Sequence, residues 1–309
     1  MNDALNIQCI DALIGLKELS DESIDCIITD PPYEVISGGH GGKDSSSQAK
    51  RPAGMLSKND GKIFTYNNLK INNWIKECYR VLKNDTHIYI MTNVLNLEEY
   101  MQEIRSAGFN IHNLLVWEKN NATPNRWYMK NCEYIIFARK GAAKPINNCG
   151  TKTVLQIKNV KNKIHPTEKP TELLRIFIEN STNENDIILD PFGGSMSTAL
   201  AALQTKRKCI SFEIDENYFK VGLDRLNNFD PNADIIITEV KHKELTDNQK
   251  IILEVLKNNP NKDFSGAELH ELTGLSSRTC SGCFTPLLTQ NYIEKTTNKS
   301  PYRVKYKGK

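Results

Sequence analysis

No stretch of this chain approaches eighteen uninterrupted apolar residues, and its opening segment joins no basic start to a long apolar core. Neither a membrane span nor a signal peptide is expected. Cysteine is sparse, with eight residues in 309, scattered and several inside predicted strands or helices. That spacing argues against a disulfide framework and fits reduced thiols in a cytoplasmic protein. Only Cys280 and Cys283 stand close together. A single C-x-x-C without a second pair or neighbouring histidines is weak evidence for zinc, so no metal site is expected. Net charge is +3, too small to name a partner, but it is unevenly spread. From Lys241 to Lys309 there are twelve Lys/Arg against seven Asp/Glu, a local +5 that leaves −2 for the remainder. A basic tail points to a polyanion, with a mildly basic solvated surface as the plain alternative. The length suits one large α/β domain with a small companion, here 1–238 and 239–309.

The chain is organised around Ile24-Asp25-Cys26-Ile27-Ile28 and the turn Thr29-Asp30-Pro31-Pro32-Tyr33 that follows it. The apolar run is mostly β-branched and too short for a helix, which predicts a buried parallel strand. Pro32 biases Pro31 towards extended backbone, and neither proline has an N–H to donate. A stiff turn at the carboxyl end of a strand results, with the Asp30 carboxylate, a free carbonyl and the Tyr33 ring facing one cleft. Such a turn suits a planar substrate with an exocyclic amine: two acceptors take its N–H groups and the ring stacks on its face.

A second strand, Ile187-Ile188-Leu189, runs into Asp190-Pro191-Phe192-Gly193-Gly194-Ser195 and then a helix predicted from Met196 to Gln204. A glycine turn between strand and helix lets backbone approach a ligand, and helix N–H groups point at its carboxylate. Glu213 ends the next strand, twenty-three positions beyond Asp190, where a carboxylate can accept both ribose hydroxyls. No phosphate-binding fingerprint accompanies it. A ligand with a ribose but no phosphates therefore fits better than a dinucleotide. Asp11 ends the first strand, near Asn6 to Ile10, where it can either accept an amine bond from a purine or cap the helix that follows.

These stretches resemble the amino-group DNA methyltransferases, which methylate adenine N6 or cytosine N4. Asp30-Pro31-Pro32-Tyr33 is similar to the family's catalytic motif. Asp190-Pro191-Phe192-Gly193-Gly194-Ser195 is similar to D-P-F-x-G-S-G-T-T, with Met196 and Ser197 replacing the Gly and the first Thr. His165-Pro166-Thr167-Glu168-Lys169-Pro170 resembles H-P-x-x-K-P beside the cofactor's methionine part, with Glu168 in place of the usual Gln. Pro170 suits the start of the helix that follows. The catalytic turn precedes the cofactor turn, which in the family defines the beta class, a circularly permuted methyltransferase sheet. The resemblance implies S-adenosyl-L-methionine as cofactor, held by Asp11, Asp30, His165, Pro166, Thr167, Lys169, Asp190, Phe192, Gly193, Gly194, Ser195 and Glu213. Asp30, Pro31, Pro32 and Tyr33 would carry the transfer, more in keeping with adenine than cytosine, since the cytosine enzymes more often have Ser at the position of Asp30. It implies double-stranded DNA as substrate. It also extends to a homodimer and a cognate restriction enzyme, for which the sequence offers no residues of its own. RNA methylation and a non-catalytic DNA-binding regulator are the rival readings.

Alternating helices and strands through the first 230 residues predict a doubly wound, mostly parallel Rossmann-like sheet. Expected elements are a helix over 69–82, a strand over 87–91, a helix over 95–107, and strands over 111–117 and 132–138. Gly38 to Gly61, rich in Gly, Ser, Lys and Asn, reads as a mobile loop leaving the catalytic turn, with Lys43 and Arg51 supplying charge. Trp117-Glu118-Lys119-Asn120 and Arg126-Trp127-Tyr128 are placed in a loop, similar to a stretch that faces DNA in the family. Their aromatic and basic side chains could stack on bases or cover a sheet edge. In the tail, helices over 247–256, 264–272 and 276–290 and a hairpin of 292–295 with 302–306 resemble a winged helix. Arg278, Lys295 and Lys299 are its candidate DNA contacts.

Overall fold

The computed structural model describes residues 5–32, 36–38, 43–44, 47–50, 56–58, 69–123, 127–142, 144–161, 168–230, 233–239, 246–289, 292–296 and 303–306, with backbone alone for those between 36 and 58 and for Thr123, Glu239, Thr285, Pro286, Thr289 and Lys295. Two compact units divide it, Met1–Val240 and Lys241–Lys309. Among the described residues no helix is long and apolar enough to cross a membrane.

In the first unit the strands of the main sheet are β1 (Leu5–Cys9), β2 (Ile24–Thr29), β3 (Leu82–Thr92), β4 (Asn110–Thr123), β5 (Lys130–Arg139), β6 (Val154–Gln156), β7 (Ile187–Asp190), β8 (Lys208–Glu213) and β9 (Ile235–Glu239). They lie in the order β6-β4-β5-β3-β2-β7-β8-β1-β9. Only β5 runs against its neighbours, pairing antiparallel with both β3 and β4. The expected mostly parallel sheet is thus present, and its two apolar faces explain the β-branched runs. Along β2, Cys26 and Ile28 face a core with Leu173 and Phe177 of α4 (Thr171–Ser181), Ala199 of α5 (Ser197–Gln204) and Phe219 of α6 (Glu216–Phe229). Ile27 faces the opposite core with Leu16 of α1 (Ala12–Glu18), Ile75 of α2 (Ile75–Val81) and Tyr100 of α3 (Leu97–Ser106). A strand buried on both sides has no polar face to show, hence its unbroken apolar reading.

Three local expectations change. The helix expected over 69–82 is a single 3₁₀ turn, Ile71–Asn73, followed by α2, and Leu82 already begins β3. Its apolar residues pack inward all the same, Trp74 and Ile75 being fully buried, which is why helical spacing was present without a long helix. Trp117 to Asn120 do not form a loop: β4 continues through them to Thr123 and pairs with β5. Trp117 is buried and its ring N–H donates to the Ile157 carbonyl at 2.8 Å, so this aromatic belongs to the core and to no DNA surface. Within Gly38 to Gly61, Ile36–Gly38 pairs with Leu56–Lys58 and Lys43–Asp44 with Ser47–Lys50, two short antiparallel ribbons where a loop was expected.

The second unit has α7 (Asp247–Asn258), β10 (Phe264–Ser265), α8 (Gly266–Thr273), α9 (Ser277–Gly282), α10 (Phe284–Thr289), β11 (Ile293–Lys295) and β12 (Arg303–Tyr306). Reciprocal capping boxes, Thr246 with Gln249 and Ser265 with Glu268, start α7 and α8. Gly274, at φ +72°, closes α8. The helix expected over 276–290 is two, because Gly282 and Cys283 end one before Phe284 starts the next. The small sheet has the order β10-β12-β11 and is antiparallel. Cys280 and Cys283 are buried in its apolar core with Leu269, Leu287 and Val304.

Candidate active site

Strands β2 and β7 lie side by side in the middle of the sheet, although 161 residues separate their ends. Beyond β2 the sheet continues through β3, and beyond β7 through β8, so the two carboxyl-terminal turns meet where the winding changes direction. The Thr29 hydroxyl ties them by donating to Asp190 Oδ1 at 3.0 Å.

On the β2 side, Pro31 is buried and Asp30 is half-buried. Its Oδ2 is ion-paired with Lys169, and its Oδ1 is buried without a hydrogen-bond partner among the described residues. Burial pushes the Asp30 carboxyl above the ordinary range, against the pull of the Lys169 ammonium, with Glu133 adding to the rise. A buried acceptor without a donor is costly unless something supplies one, which points Oδ1 at a ligand. Tyr33 lies outside the described residues.

On the β7 side, the Asp190 carboxylate accepts from the Phe192 N–H at 3.1 Å as well as from Thr29, and burial lifts it to about 6. The Phe192 ring meets Trp74 edge to face, centroids 5.3 Å apart. At Gly193 a Cβ would lie 2.3 Å from Ser211 Oγ and 2.8 Å from Met196 Sδ, so packing against β8 also favours glycine here. Gly194 has φ +52° and donates its N–H to Glu213 Oε2 at 2.7 Å. Glu213 Oε1 takes the Asp215 N–H at 2.8 Å, and burial lifts this carboxyl to about 7. Met196, standing where the family motif has glycine, keeps the left-handed backbone, with φ +59°. Its fully buried side chain passes over Gly222 of α6, where a Cβ would lie 2.5 Å from Met196 Cγ. The glycine lost from the turn has a counterpart in the helix beneath it.

The segment before α4 joins both sides. Lys169 reaches Asp30 and also Glu133 Oε2 at 3.5 Å, while Glu133 Oε1 is paired with Lys119. Glu168, in the place of the usual Gln, is buried and accepts from Arg225 of α6 at 2.8 Å. Arg225 donates in addition to the Ser195 carbonyl at 3.1 Å and to Ser197 Oγ at 2.9 Å. One guanidinium therefore braces the glycine turn against the stretch preceding α4. His165, Pro166 and Thr167 lie outside the described residues.

With this geometry in view, the comparisons are specific. A family model described as DNA methylase matches residues 24–224. The Type II methyltransferase M2.MboI of Moraxella bovis is 31% identical over 254 residues, covering 76% of this chain and 90% of the relative. The chain belongs to the DNA methylase family. The DNA adenine methyltransferase YhdJ of Escherichia coli (strain K12) is 29% identical to this methylase over 268 residues, 73% of this chain and 84% of the relative. The crystal structure of M1.HpyAVI in complex with SAM superposes with a TM-score of 0.54 at 26% identity, covering 72% of this chain and 99% of that one.

The remaining candidates of the methylase fall in different places. Asp11 caps α1, its Oδ1 accepting from the Leu13 N–H at 2.8 Å, so the capping role is realised. Lys119 is no surface cation: its ammonium lies 4.8 Å from the centre of the Trp117 ring and is engaged by Glu133. Arg278 is exposed in the second unit. The side chains of Lys43 and Lys295, and Arg51, Arg126 and Lys299 altogether, lie outside the described residues. Two site residues were missed from sequence, Glu133 and Arg225. Arg225 gave no signal, being one basic residue among many on an amphipathic helix. Glu133 left a faint one, a carboxylate directly before the apolar run of β5.

Proposed function

We propose that this methylase transfers the methyl group of S-adenosyl-L-methionine to N6 of an adenine in double-stranded DNA. Four carboxylates, Asp11, Asp30, Asp190 and Glu213, stand at or beside the carboxyl ends of β1, β2, β7 and β8. An edge so lined repels phosphates and welcomes a cation, which fits a ribose-bearing sulfonium. When bound, the cofactor supplies an electrophilic methyl group. Glu213 is assigned its ribose hydroxyls: its carboxylate, held by the Gly194, Asp215 and Ile214 N–H groups, keeps acceptor capacity for a ligand. Asp11, Phe192, Gly194, Ser195 and the 165–169 stretch would line the rest, with the Asp190 carboxylate shaping the turn.

Asp30 Oδ1 carries the reading, as a buried side-chain acceptor of the catalytic turn with no donor among the described residues. An adenine swung out of the duplex, at an unstacking cost of a few kcal/mol, would present its amine to Oδ1 and to the Pro31 carbonyl, with Tyr33 against its face. Two acceptors fix the amine in the plane of the turn and aim its lone pair outward. Positioning of that kind supplies most of the rate. The test incubates the protein with methyl-labelled cofactor and either duplex DNA or RNA and identifies the modified nucleoside. N6-methyladenine from the duplex is expected; N4-methylcytosine would reassign the base, and label confined to RNA would overturn the proposal. Asp30→Ala should lower transfer at least a thousandfold while cofactor affinity stays within a few-fold.

The second unit is assigned to duplex contact. Its element order, with β12 between β10 and β11, supports the winged-helix reading. Arg278 in α9, Lys295 in β11 and Lys299, which is outside the described residues, would meet phosphates.

A further inference from the structure

Four side chains near the catalytic turn alternate in sign: Asp30 at the end of β2, Lys169 before α4, Glu133 in β5 and Lys119 in β4. Each touches the next. We propose that Glu133 is a positioning residue for methyl transfer, holding Lys169 so that its ammonium occupies Asp30 Oδ2 and leaves Oδ1 to the target amine. The inference rests on the proposed role of Asp30.

A lysine has a flexible stem and three donors, so a single carboxylate does not fix where its ammonium sits. Lys169, with only 8% of its side chain exposed, is held between Asp30 and Glu133. Glu133 is in turn pinned by Lys119, and against burial, which raises its carboxyl, the two cations hold it down at about 2. Lys119 is itself steadied over the Trp117 ring, which is buried. The chain of restraint thus runs from the sheet core to the catalytic carboxylate. Its direction follows from topology: because β5 runs opposite to β2, β3 and β4, Glu133 near the start of β5 lies at the same edge as residues at the ends of the other strands.

The row is neutral with all four groups charged, and this yields a signed test. Among the described residues the other titratable groups facing Asp30 are Asp190 on β7 and Tyr100 on α3, neither altered by the variants below. Glu133→Gln removes a negative charge, favours the ionised form of Asp30 and should move the acid limb of the kcat profile to lower pH. Lys119→Gln removes a positive charge and should move it to higher pH. A shift on the order of half to one pH unit is expected for each, given one charge at this range in a partly buried site. The double variant is neutral again and should return the limb towards its original position. It should not recover kcat, because Lys169 is still loosely held. For Glu133→Gln, kcat should fall about 10- to 100-fold with the cofactor KM nearly unchanged.

The experiment measures kcat and KM against pH for the wild type, both single variants and the double variant, with Asp30→Asn alongside. Opposed limb shifts that cancel in the double variant support the proposal. Limbs that stay put, or move the same way, overturn it even if activity falls, because a merely structural role would lower kcat without a charge-dependent sign. If Asp30→Asn retains transfer, it is the reading of Asp30 that fails. Circular dichroism melts within a few degrees of wild type confirm folded variants, and Glu133→Asp, which keeps the charge on a shorter stem, should keep the limb while lowering kcat.

Discussion

Arg225→Met would remove the brace between the two halves of the cofactor corner while keeping most of the side chain's volume. The Glu168 carboxylate it pairs with has 3% of its side chain exposed and Arg225 has 18%, so the pair is largely withdrawn from water. Breaking such a pair from one side costs about 3–5 kcal/mol when fully buried. Residual solvent at Arg225 reduces that, and the two bonds to Ser195 and Ser197 are lost as well, so about 2–3 kcal/mol is expected. Glu168→Gln is milder, about 1 kcal/mol, since an amide oxygen still accepts from the guanidinium. The double variant should fall short of the sum by at least about 1 kcal/mol, because it removes both charges of the pair together. Fluorescence suits the measurement: all three tryptophans, Trp74, Trp117 and Trp127, are in the first unit, so the signal follows that unit alone. In urea, Arg225→Met should melt earlier with an unchanged slope, or about 5–10 °C lower on heating. Additive single effects, or a loss below about 1 kcal/mol for Arg225→Met, would refute the brace.

Three further outcomes follow from the same geometry. Glu213 is held near 7 by burial, and donation by ribose hydroxyls favours its ionised form, so binding at pH 6 should release a proton. The Kd for S-adenosylhomocysteine should then rise up to about tenfold per pH unit below 7, level off above 8, and lose this dependence in Glu213→Gln; a flat profile by calorimetry would refute the assignment. Gly222→Ala would press a Cβ into Met196 and should cost about 1–3 kcal/mol, and the same change made in a Met196→Ala background should cost less than half as much in the same unfolding assay. In the second unit, Arg278→Glu should weaken duplex binding and flatten its dependence on salt by about one counterion, measured by fluorescence anisotropy at several salt concentrations. Unchanged binding would move this unit to a protein-contact role.

What the sequence determined by itself is local and covalent in origin. Ile24 to Ile28 and Ile187 to Leu189 are apolar on both faces, and a strand of that kind must be central whatever surrounds it. The two prolines after Asp30, and the Phe-Gly-Gly corner after Asp190, end their strands through backbone chemistry that no packing can undo. Tertiary structure decided the rest. Helical spacing over 69–82 became a single 3₁₀ turn and a short helix, because periodicity reports which side is buried and not how far hydrogen bonding runs. Trp117 and Lys119 looked like a DNA-facing pair until β4 carried them into the sheet. Glu133 and Arg225 reach the site from positions that nothing nearby in the chain marks, since whether a strand's first residue or its last lies at the reactive edge depends on which way its neighbours run. Strand direction is a relation between segments, and only folding sets it.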